Sequence, residues 1–498
     1  MKNRGSYLLC AIIIVSLLPR AGYAFDGNAH EALSLRAVNP NVANASQLDS
    51  YLKNVLGFDF QDGVKEVVSS GKTVEKLIAD GSVQEDIPFT RVVHHFHDPT
   101  RAWAQAGERF LGIPLGNSSV VWSQMSPQGA CCGNFAWKDA RDAYFNALTS
   151  TSDSERKFWY AQTFRTLGHL IHHVQDAAVP SHTRNDNHLQ LFKSTKFPDG
   201  DPFHHWADSV AGRDLIGVSQ ALRFDPSILN QASPNPLAPV PVARIIDKTD
   251  GDLGILSPNV NIGLAEYSNA NFISKGTSRS TTYQYPSYSQ LEFGTVETLP
   301  NGKKVRYAKF RPGFGEQDYR VGVSSRMVQF VNATVPPDSI DFGLDDNVHE
   351  DYGRKLFPRA IGYSAGLIDY FFQNFMSGSA QDLGCGFLPF PSDPPRDFGL
   401  GVGTFRFDTL LPGEQPGTGR VVIVVQYRSG GQNHYFTLLD TTATLDPELG
   451  VGWTLSTGDL AQVPADATNV SYVIAYRGPL GEEPDAVIGG VGYFYGLC

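Results

Sequence analysis

The chain has 498 residues, more than one ordinary hydrophobic core holds, and this length predicts two or three domains. Apolar residues make up 41% and charged residues 18%, so the chain can bury a sizeable interior and is not globally disordered. The net charge of −11 argues against a broad basic surface for duplex nucleic acid, while bound metal ions can still create a local phosphate site.

The first 24 residues have the pattern of a secretory signal peptide. Lys2 and Arg4 precede an uncharged apolar run at residues 8–18, and small residues follow up to Ala24. An uncleaved membrane anchor is the alternative, but the run is too short to span a bilayer. We expect cleavage after Ala24, Phe25 as the new N-terminus, and a periplasmic or secreted protein without a transmembrane segment.

Four cysteines remain after this cleavage, and an even number in an oxidising compartment predicts disulfide bonds. Spacing alone does not give their connectivity. We expect Cys385 and Cys498 to pair, whereas the adjacent Cys131 and Cys132 either form a vicinal bridge or stay reduced.

The pattern of apolar residues changes three times along the chain. Up to about residue 217 it is mainly helical, and helical spacing returns at residues 351–375. Between them, residues 226–345 are rich in loops and strands, with a hairpin-type turn at 299–302. A proline-rich stretch near residues 385–396 predicts a domain boundary. Beyond it, short strands follow at intervals typical of a β-sandwich, at residues 421–425, 435–439, 472–476 and 487–495.

Ten of the 13 histidines lie between residues 94 and 205, and those with nearby carboxylates indicate metal binding. His172 and Asp176 are four residues apart in a predicted helix at residues 154–176, so both side chains reach one point. Pro180 is expected to end this helix and let His182 fold back beside it. Imidazole and carboxylate are the usual ligands of catalytic zinc, and a buried His–Asp hydrogen bond is the alternative.

Three other segments supply candidate ligands. His204 and Asp208 repeat the four-residue spacing on a second predicted helix, for which a solvated polar face is the alternative. Residues 91–99 contain three histidines, of which only one can face a given ion in an extended segment. His30 follows shortly after the new N-terminus. His169 and His173 are interpreted as packing groups or as supports for the ligands.

Together and in this order, these residues resemble the zinc-dependent phospholipases C of bacteria and their sister group, the single-strand-specific nucleases. The family pattern combines an N-terminal aromatic, an early histidine, an aspartate, a His-Phe-Tyr-Asp-Pro-like segment, a His-x3-Asp-x3-Pro-x-His helix end and a final His-x3-Glu or His-x3-Asp pair. The matching positions are Phe25, His30, Asp86, His95 to Pro99, His172, Asp176, His182, His204 and Asp208. A closing helix is similar at residues 359–372, so the resemblance covers residues 25 to about 375.

The resemblance implies a mostly α-helical domain that holds three Zn²⁺ ions. One ion would bind Asp86, His95, His172 and Asp176. A second would bind the amino and carbonyl groups of Phe25, together with His30 and the other oxygen of Asp176. The third would bind His182, His204 and Asp208. The same resemblance makes Asp176 the bridge of a two-ion pair and Asp86 a general-base candidate, so both are expected to be catalytic.

Several departures from the family pattern bear on these expectations. Phe25 replaces the usual tryptophan. Fewer residues separate Asp86 from His95 than the family pattern leads us to expect, so Asp80 is a rival ligand. Asp208 is similar to the nuclease form of its pair, whereas residues 95–99 are similar to the phospholipase form. The expected fold is a mostly α-helical trinuclear-zinc phospholipase C-like domain at residues 25–384, with a strand-rich insertion at about 276–345. A C-terminal all-β sandwich would follow at residues 385–498.

The sequence therefore predicts a secreted zinc-dependent phosphodiesterase, with a phospholipase C that hydrolyses phospholipid head groups as the favoured hypothesis. A single-strand nuclease or nucleotidase with the same metal site is one alternative. A non-catalytic, zinc-stabilised binding protein is another. The C-terminal domain would either contact a lipid surface or stabilise the chain, and head-group preference and oligomeric state stay open.

Overall fold

The computed structural model describes most of the chain with gaps. The described residues are 27–88, 90–129, 133–186, 201–230, 241–249, 261–277, 283–325, 342–372, 376–377, 402–403, 406–407, 416–444, 453–454, 462–481 and 483–493. The predicted signal peptide, Phe25, all of the cysteines and the boundary near residues 385–396 lie outside these ranges. Within these ranges, no helix combines the length and the apolar character needed to cross a membrane.

Helices dominate the first two thirds of the described chain, as the spacing of apolar residues predicts. In chain order they are α1 (Gly27–Val38), α2 (Leu48–Asn54), α3 (Val74–Gln84), α4 (Ser119–Trp122), α5 (Trp137–Thr149), α6 (Asp153–Asp176), α7 (Pro180–Thr183), α8 (Pro202–Asp208), α9 (Val210–Val218), α10 (Pro241–Ile246), α11 (Leu264–Asn271) and α12 (Asp346–Phe372). The helix predicted at residues 351–375 is α12, which begins at Asp346. The second predicted helix, which carries His204 and Asp208, is α8, and it ends at Asp208 because Ser209 caps α9 with its hydroxyl.

Helix α6 is the central element of the helical part. Its last ten residues, from Leu167 to Asp176, are all buried, so helices and loops surround it on every side. It packs most closely on α3 through two glycines. A Cβ atom on Gly168 would lie 2.2 Å from the carbonyl oxygen of Ile78, and one on Gly81 would lie 2.1 Å from that of Arg165. This approach brings the C-terminal end of α3 beside the histidines of α6.

The strand-rich stretch predicted within residues 276–345 contains a small antiparallel sheet. Its strands are β5 (Leu291–Phe293), β6 (Glu297–Thr298), β7 (Lys304–Phe310) and β8 (Gly322–Ser325). Strands β5, β6 and β8 each pair with β7. The predicted turn joins β6 to β7, where Leu299 N–H donates to the carbonyl of Lys303 and Gly302 N–H donates to that of Leu299. Two-stranded pairs precede this sheet, formed by β1 (Val67–Ser69) with β2 (Lys72–Thr73) and by β3 (Arg109–Phe110) with β4 (Ile113–Pro114).

Four long C-terminal strands are β12 (Thr418–Ser429), β13 (Gln432–Thr444), β15 (Thr468–Leu480) and β16 (Glu483–Tyr493). They form an antiparallel sheet in the order β13–β12–β15–β16. Two short pairs are formed by β9 (Met376–Ser377) with β11 (Arg406–Phe407) and by β10 (Val402–Gly403) with β14 (Trp453–Thr454). Val421 and Ile423 face one buried side and Val422 and Val424 the other, as expected of a sheet between two layers. The second layer of the predicted sandwich stays a prediction.

This sheet shares a hydrophobic core with the helical part. On the helical side, Val422 and Val424 belong to the same apolar cluster as Tyr144 and Leu148 of α5. A buried ion pair crosses the contact, since Arg141 Nε and Nη2 lie 2.8 and 3.0 Å from the carboxylate oxygens of Glu483. The helical and β-rich parts therefore stabilise each other.

Candidate metal centre

Asp176 lies at the centre of four buried imidazoles. Its Oδ2 is 3.0 Å from His172 Nε2, 3.2 Å from His95 Nδ1 and 3.3 Å from His182 Nδ1, and its Oδ1 is 3.5 Å from His30 Nε2. Burial raises the pKa of the Asp176 carboxyl, but His172 and His182 outweigh burial and hold that pKa well below its usual range. Asp176 is therefore an ionised carboxylate deep inside the protein.

Asp86 joins this group from the segment that follows α3. Its Oδ1 lies 3.5 Å from His95 Nδ1 and 3.8 Å from His172 Nε2. Among the described residues, the sets of side chains close enough to hold one ion include His30 with Asp86 and His172, and His95 with His172 and Asp176. The structure thus brings five predicted ligands of the first two ions into one buried cluster, while the sixth, Phe25, lies outside the described residues.

Asp80, the rival of Asp86, is engaged elsewhere. Its two oxygens lie 2.6 Å from Lys72 Nζ and 3.1 Å from Lys76 Nζ, on the partly exposed side of α3. Hydrogen bonds from these lysines lower the pKa of Asp80 although burial opposes the change. The geometry therefore favours Asp86 over Asp80 as the ligand.

Hydrogen bonds fix which nitrogen of His172 carries a proton. Nδ1 of His172 is 2.7 Å from the carbonyl oxygen of Ser82, which only accepts, so Nδ1 is the donor and Nε2 holds a lone pair when the ring is neutral. That lone pair faces Asp176 Oδ2. Two electron-rich atoms 3.0 Å apart in a buried site need a cation between or beside them. A proton on His95 Nδ1, 3.0 Å from His172 Nε2, meets this need, and a metal ion that displaces the proton would meet it too.

A chain of hydrogen bonds fixes His30 in the same way. Gln175 Nε2 donates to Ser34 Oγ at 2.9 Å, Ser34 donates to Ser82 Oγ at 2.8 Å, and Ser82 donates to the carbonyl of Ala79. The amide oxygen of Gln175 therefore faces His30 Nδ1 at 2.6 Å, so Nδ1 donates and the Nε2 lone pair points at Asp176. Sequence reasoning did not identify Gln175, although it immediately precedes the predicted ligand Asp176.

Pro180 acts differently from its predicted role. Helix α6 ends at Asp176, four residues before Pro180, and Pro180 instead begins the short helix α7, where its missing N–H costs nothing. The turn between the helices points His182 back at Asp176, as expected. The carbonyl of His182 accepts from His97 N–H at 3.0 Å, which ties α7 to the segment of His95.

The predicted ligands of the third ion lie on α7 and α8. The rings of His182 and His204 lie 4.9 Å apart, and Asp201 orders the start of α8 by accepting from the backbone N–H of His204. Asp208, at the other end of α8, accepts from Ala29 N–H at 3.1 Å and from Asn28 Nδ2 at 3.0 Å. The structure thus brings His182 and His204 together, while Asp208 of α8 binds the first turn of α1. A shared ion stays a prediction.

Only one of the three histidines at residues 94–97 faces the centre, as expected, although Val92–His94 form a 3-10 helix and not the extended segment assumed from the sequence. His95 contacts Asp86 and Asp176, whereas His94 stacks on Trp122 at 3.8 Å and accepts from Asn117 N–H. Burial lowers the pKa of His94 to about 4. His97 Nε2 lies 2.7 Å from Asp247, which also accepts from Trp103.

Behind His95 lies a second buried carboxylate, Glu85, whose role sequence reasoning missed. Its Oε2 is 2.5 Å from both Arg91 Nη2 and His169 Nδ1, and its Oε1 is 3.0 Å from Trp122 Nε1 and 3.3 Å from His173 Nε2. Burial raises the pKa of Glu85, but His173 and His169 outweigh burial and hold that pKa well below its usual range. His169 and His173 thus support the centre, as predicted, and Glu85 is what they bind.

Glu85, His95 and His173 are also close enough to hold an ion, but the charge balance argues against one there. The guanidinium of Arg91 already neutralises the carboxylate, and Trp122 donates to its other oxygen. Glu85 is therefore a positioning residue. Burial lowers the pKa of His95, but Asp176 and Glu85 raise it to about 10, so an ion bound through His95 displaces a proton.

Comparison with known proteins gives little support beyond these residues. No family model and no curated protein matches the chain. Among solved structures, the alpha toxin from Clostridium absonum is similar with a TM-score of 0.28 and 10% identity over 94% of this chain and 95% of that one. An alpha-toxin of Clostridium perfringens from an avian strain gives a TM-score of 0.27 and 12% identity over 95% and 98%. Scores this low carry no argument for fold or activity.

Proposed function

We propose that this chain is a zinc-dependent phosphodiesterase, and specifically a phospholipase C that releases phosphorylated head groups from phospholipids. The observation that supports it most is the ionised Asp176 carboxylate, which the lone pairs of His30 and His172 face inside the protein. Nitrogen and carboxylate donors of this kind suit zinc. The phospholipid substrate rests on the ordered resemblance to the zinc-dependent phospholipases C.

The proposed ligand sets are those that the family resemblance implies. Asp86, His95, His172 and Asp176 would hold one Zn²⁺, and His30 with Asp176 and the Phe25 backbone a second. For a third ion we propose the set His182, His204 and Asp208. When bound, the ions supply an activated water and positive charge for the phosphate oxygens.

The side chains of the chain perform the remaining tasks. Ser82 and Gln175 orient His172 and His30, so that both rings present Nε2 to the centre. Asp86, which lies 3.5 Å from His95 Nδ1, is the general-base candidate that the resemblance implies. Burial of these groups excludes bulk water, which strengthens every charge interaction at the centre.

We also propose that the protein is exported and that signal cleavage completes the site. Cleavage after Ala24 would free the Phe25 amino group two residues before α1, and a free amino group becomes a ligand once metal displaces its proton. Mass spectrometry of the mature chain tests this step. An intact N-terminus in an active, zinc-loaded protein would contradict it.

The direct test of the activity is phosphorylcholine release from phosphatidylcholine vesicles by the zinc-loaded mature protein. We expect Asp176→Asn to abolish release, because it removes the charge that the imidazoles surround. Asp80→Asn is the matched control, since Asp80 lies on the neighbouring helix and pairs with lysines, and it should keep full activity.

The two failures of this experiment have different meanings. Full activity of Asp176→Asn would refute the proposed catalytic centre. A wild-type protein that binds zinc but releases no phosphorylcholine would refute the phospholipid substrate alone, and single-stranded DNA would be the next substrate to assay.

A further inference from the structure

The hairpin β3–β4 presents apolar side chains to solvent beside the proposed centre. Phe110 is 43% exposed, Leu111 87%, Ile113 66% and Leu115 37%. We call these four residues the apolar tip. Single exposed apolar residues are ordinary on a protein surface, but four within six consecutive positions form a patch that marks an interaction site.

The base of the hairpin rests on the two segments that supply His95 and His182. Arg109 N–H donates to Asn185 Oδ1 at 2.9 Å, and Asn185 follows His182 by three residues. On the other side, a Cβ atom on Gly116 would lie 2.1 Å from the carbonyl oxygen of Val93, so only glycine allows this close packing. The apolar tip is therefore held in a fixed relation to the proposed centre.

The turn of the hairpin violates two local preferences at once. Leu111 has a φ of 51° and Gly112 a φ of 82°, and a two-residue turn with both values positive normally begins with Asn, Asp or Gly. Leucine is strained in this conformation and is also the most exposed residue of the tip. A large apolar side chain kept where backbone and solvent both disfavour it is expected to serve a function.

We propose that the apolar tip inserts into the surface of a phospholipid layer and holds the proposed centre at that surface. This inference rests on the proposed function, because it names how a lipid substrate is reached. It involves the hairpin and differs from the lipid contact predicted for the C-terminal domain.

A lipid layer fits this surface better than a protein partner. Four side chains around a two-residue turn cover far less than the roughly 800 Å² per partner that a stable dimer needs. Insertion between lipids requires only a few apolar side chains with cations behind them. Residues 109–115 contain no acidic residue, and Arg109 stands at the base of the hairpin, where its guanidinium donates to the carbonyl of Gly112.

Leu111→Asn is the decisive variant, because asparagine favours the turn while removing the apolar group. It should fold at least as well as the wild type and raise its melting temperature. Binding of the full-length protein to phosphatidylcholine vesicles, measured by co-sedimentation, should fall about tenfold or more, from the transfer free energy of one leucine side chain. Ile113→Ser should weaken binding similarly.

Phe158→Ser is the matched control. Phe158 is 51% exposed on α6, 18 residues before Asp176 and so about 27 Å away along the helix axis. This variant should bind vesicles like the wild type. Hydrolysis of a short-chain phosphatidylcholine below its micellar concentration should be unchanged by all three substitutions, whereas hydrolysis in vesicles should fall only with the tip variants.

Four results would overturn the proposal. The first three are wild-type vesicle binding by Leu111→Asn, an equal loss of binding with Phe158→Ser, and an equal loss of vesicle and monomer hydrolysis, which would place the tip in substrate contact. A dimer that Leu111→Asn dissociates in sedimentation velocity would also overturn it. Because co-sedimentation requires no turnover, a wild type that binds vesicles but hydrolyses no lipid refutes the proposed function and leaves the docking result standing.

Discussion

Gly81 of α3 and Gly168 of α6 lie against each other so closely that a Cβ atom on Gly168 would be 2.7 Å from the Cα of Gly81. This contact determines how near the end of α3 comes to the histidines of α6. It allows the carbonyl of Ser82 to reach His172, and it places Glu85 and Asp86 on either side of His95. Two residues without side chains thus assemble the proposed centre.

Gly168→Ala should therefore damage both stability and metal binding. The added methyl group meets backbone atoms of Ile78 and Ser82, which cannot rotate away, so the helices must separate. We expect a loss of about 3 kcal/mol in the free energy of unfolding, measured by urea titration, together with weaker zinc binding.

Gly217→Ala is the control for this substitution. Gly217 lies in α9, and no described residue beyond the adjacent turns of this helix would come within 4 Å of a Cβ atom there. Alanine should therefore stabilise the helix by about 1 kcal/mol. Equal effects of the two substitutions would show that the close helix contact is not what matters at Gly168.

Gln175→Met tests the hydrogen-bond chain that orients His30. Methionine has a similar shape but cannot accept from His30 Nδ1, so the ring loses the partner that fixes its tautomer. We expect zinc affinity to fall about 10–100-fold, measured by competition with a chelator. Unchanged affinity would mean that Gln175 only fills space between α1 and α6.

Glu85→Gln tests the carboxylate behind His95. The substitution leaves the Arg91 guanidinium buried without its counter-charge, and breaking a buried ion pair in this way costs about 3–5 kcal/mol. A double variant that also replaces Arg91 by methionine should recover part of this stability. No recovery in the double variant would contradict the assignment of Arg91 as the partner.

The sequence predicted which candidate ligands lie together better than it predicted what surrounds them. His172 and Asp176 could be placed together because their four-residue spacing puts both side chains on one face of a helix. His182 was expected beside them, although Pro180 starts α7 and does not end α6. The roles of Glu85 and Gln175 could not be predicted. Glu85 acts because α3 packs on α6, and Gln175 acts because α1 packs on α6. Contacts between distant segments leave no periodic signal in a single sequence.

The same limit applies to the larger architecture. The spacing of apolar residues was sufficient for α6, α12 and the four C-terminal strands. It did not predict that Glu483 of β16 pairs with Arg141 of α5, which joins the sheet to the helices in one core. Alternation of apolar residues shows that a strand has a buried face, but it does not say which element covers that face.

Glu108, at the base of the β3–β4 hairpin, makes stability depend on pH. The side chain is completely buried, and within the described residues neither carboxylate oxygen has a hydrogen-bond partner. Burial, and then the nearby Asp186, raise its pKa well above the usual value. The folded protein therefore holds a proton on Glu108 at pH values where the unfolded chain, with a pKa of about 4.3, has released it.

Because the folded state binds more protons, Glu108 contributes its full stability below the pKa that it has in the unfolded chain. That contribution is lost as pH rises through the higher pKa of Glu108 in the folded protein. Glu108→Gln is a neutral mimic that removes this dependence. Urea midpoints of the variant and the wild type should be similar at pH 4, and the variant should become progressively more stable above that pH. The difference in the free energy of unfolding between variant and wild type should grow by up to about 1.4 kcal/mol per pH unit. A difference that stays constant between pH 4 and 8 would mean that Glu108 is ionised in the folded protein.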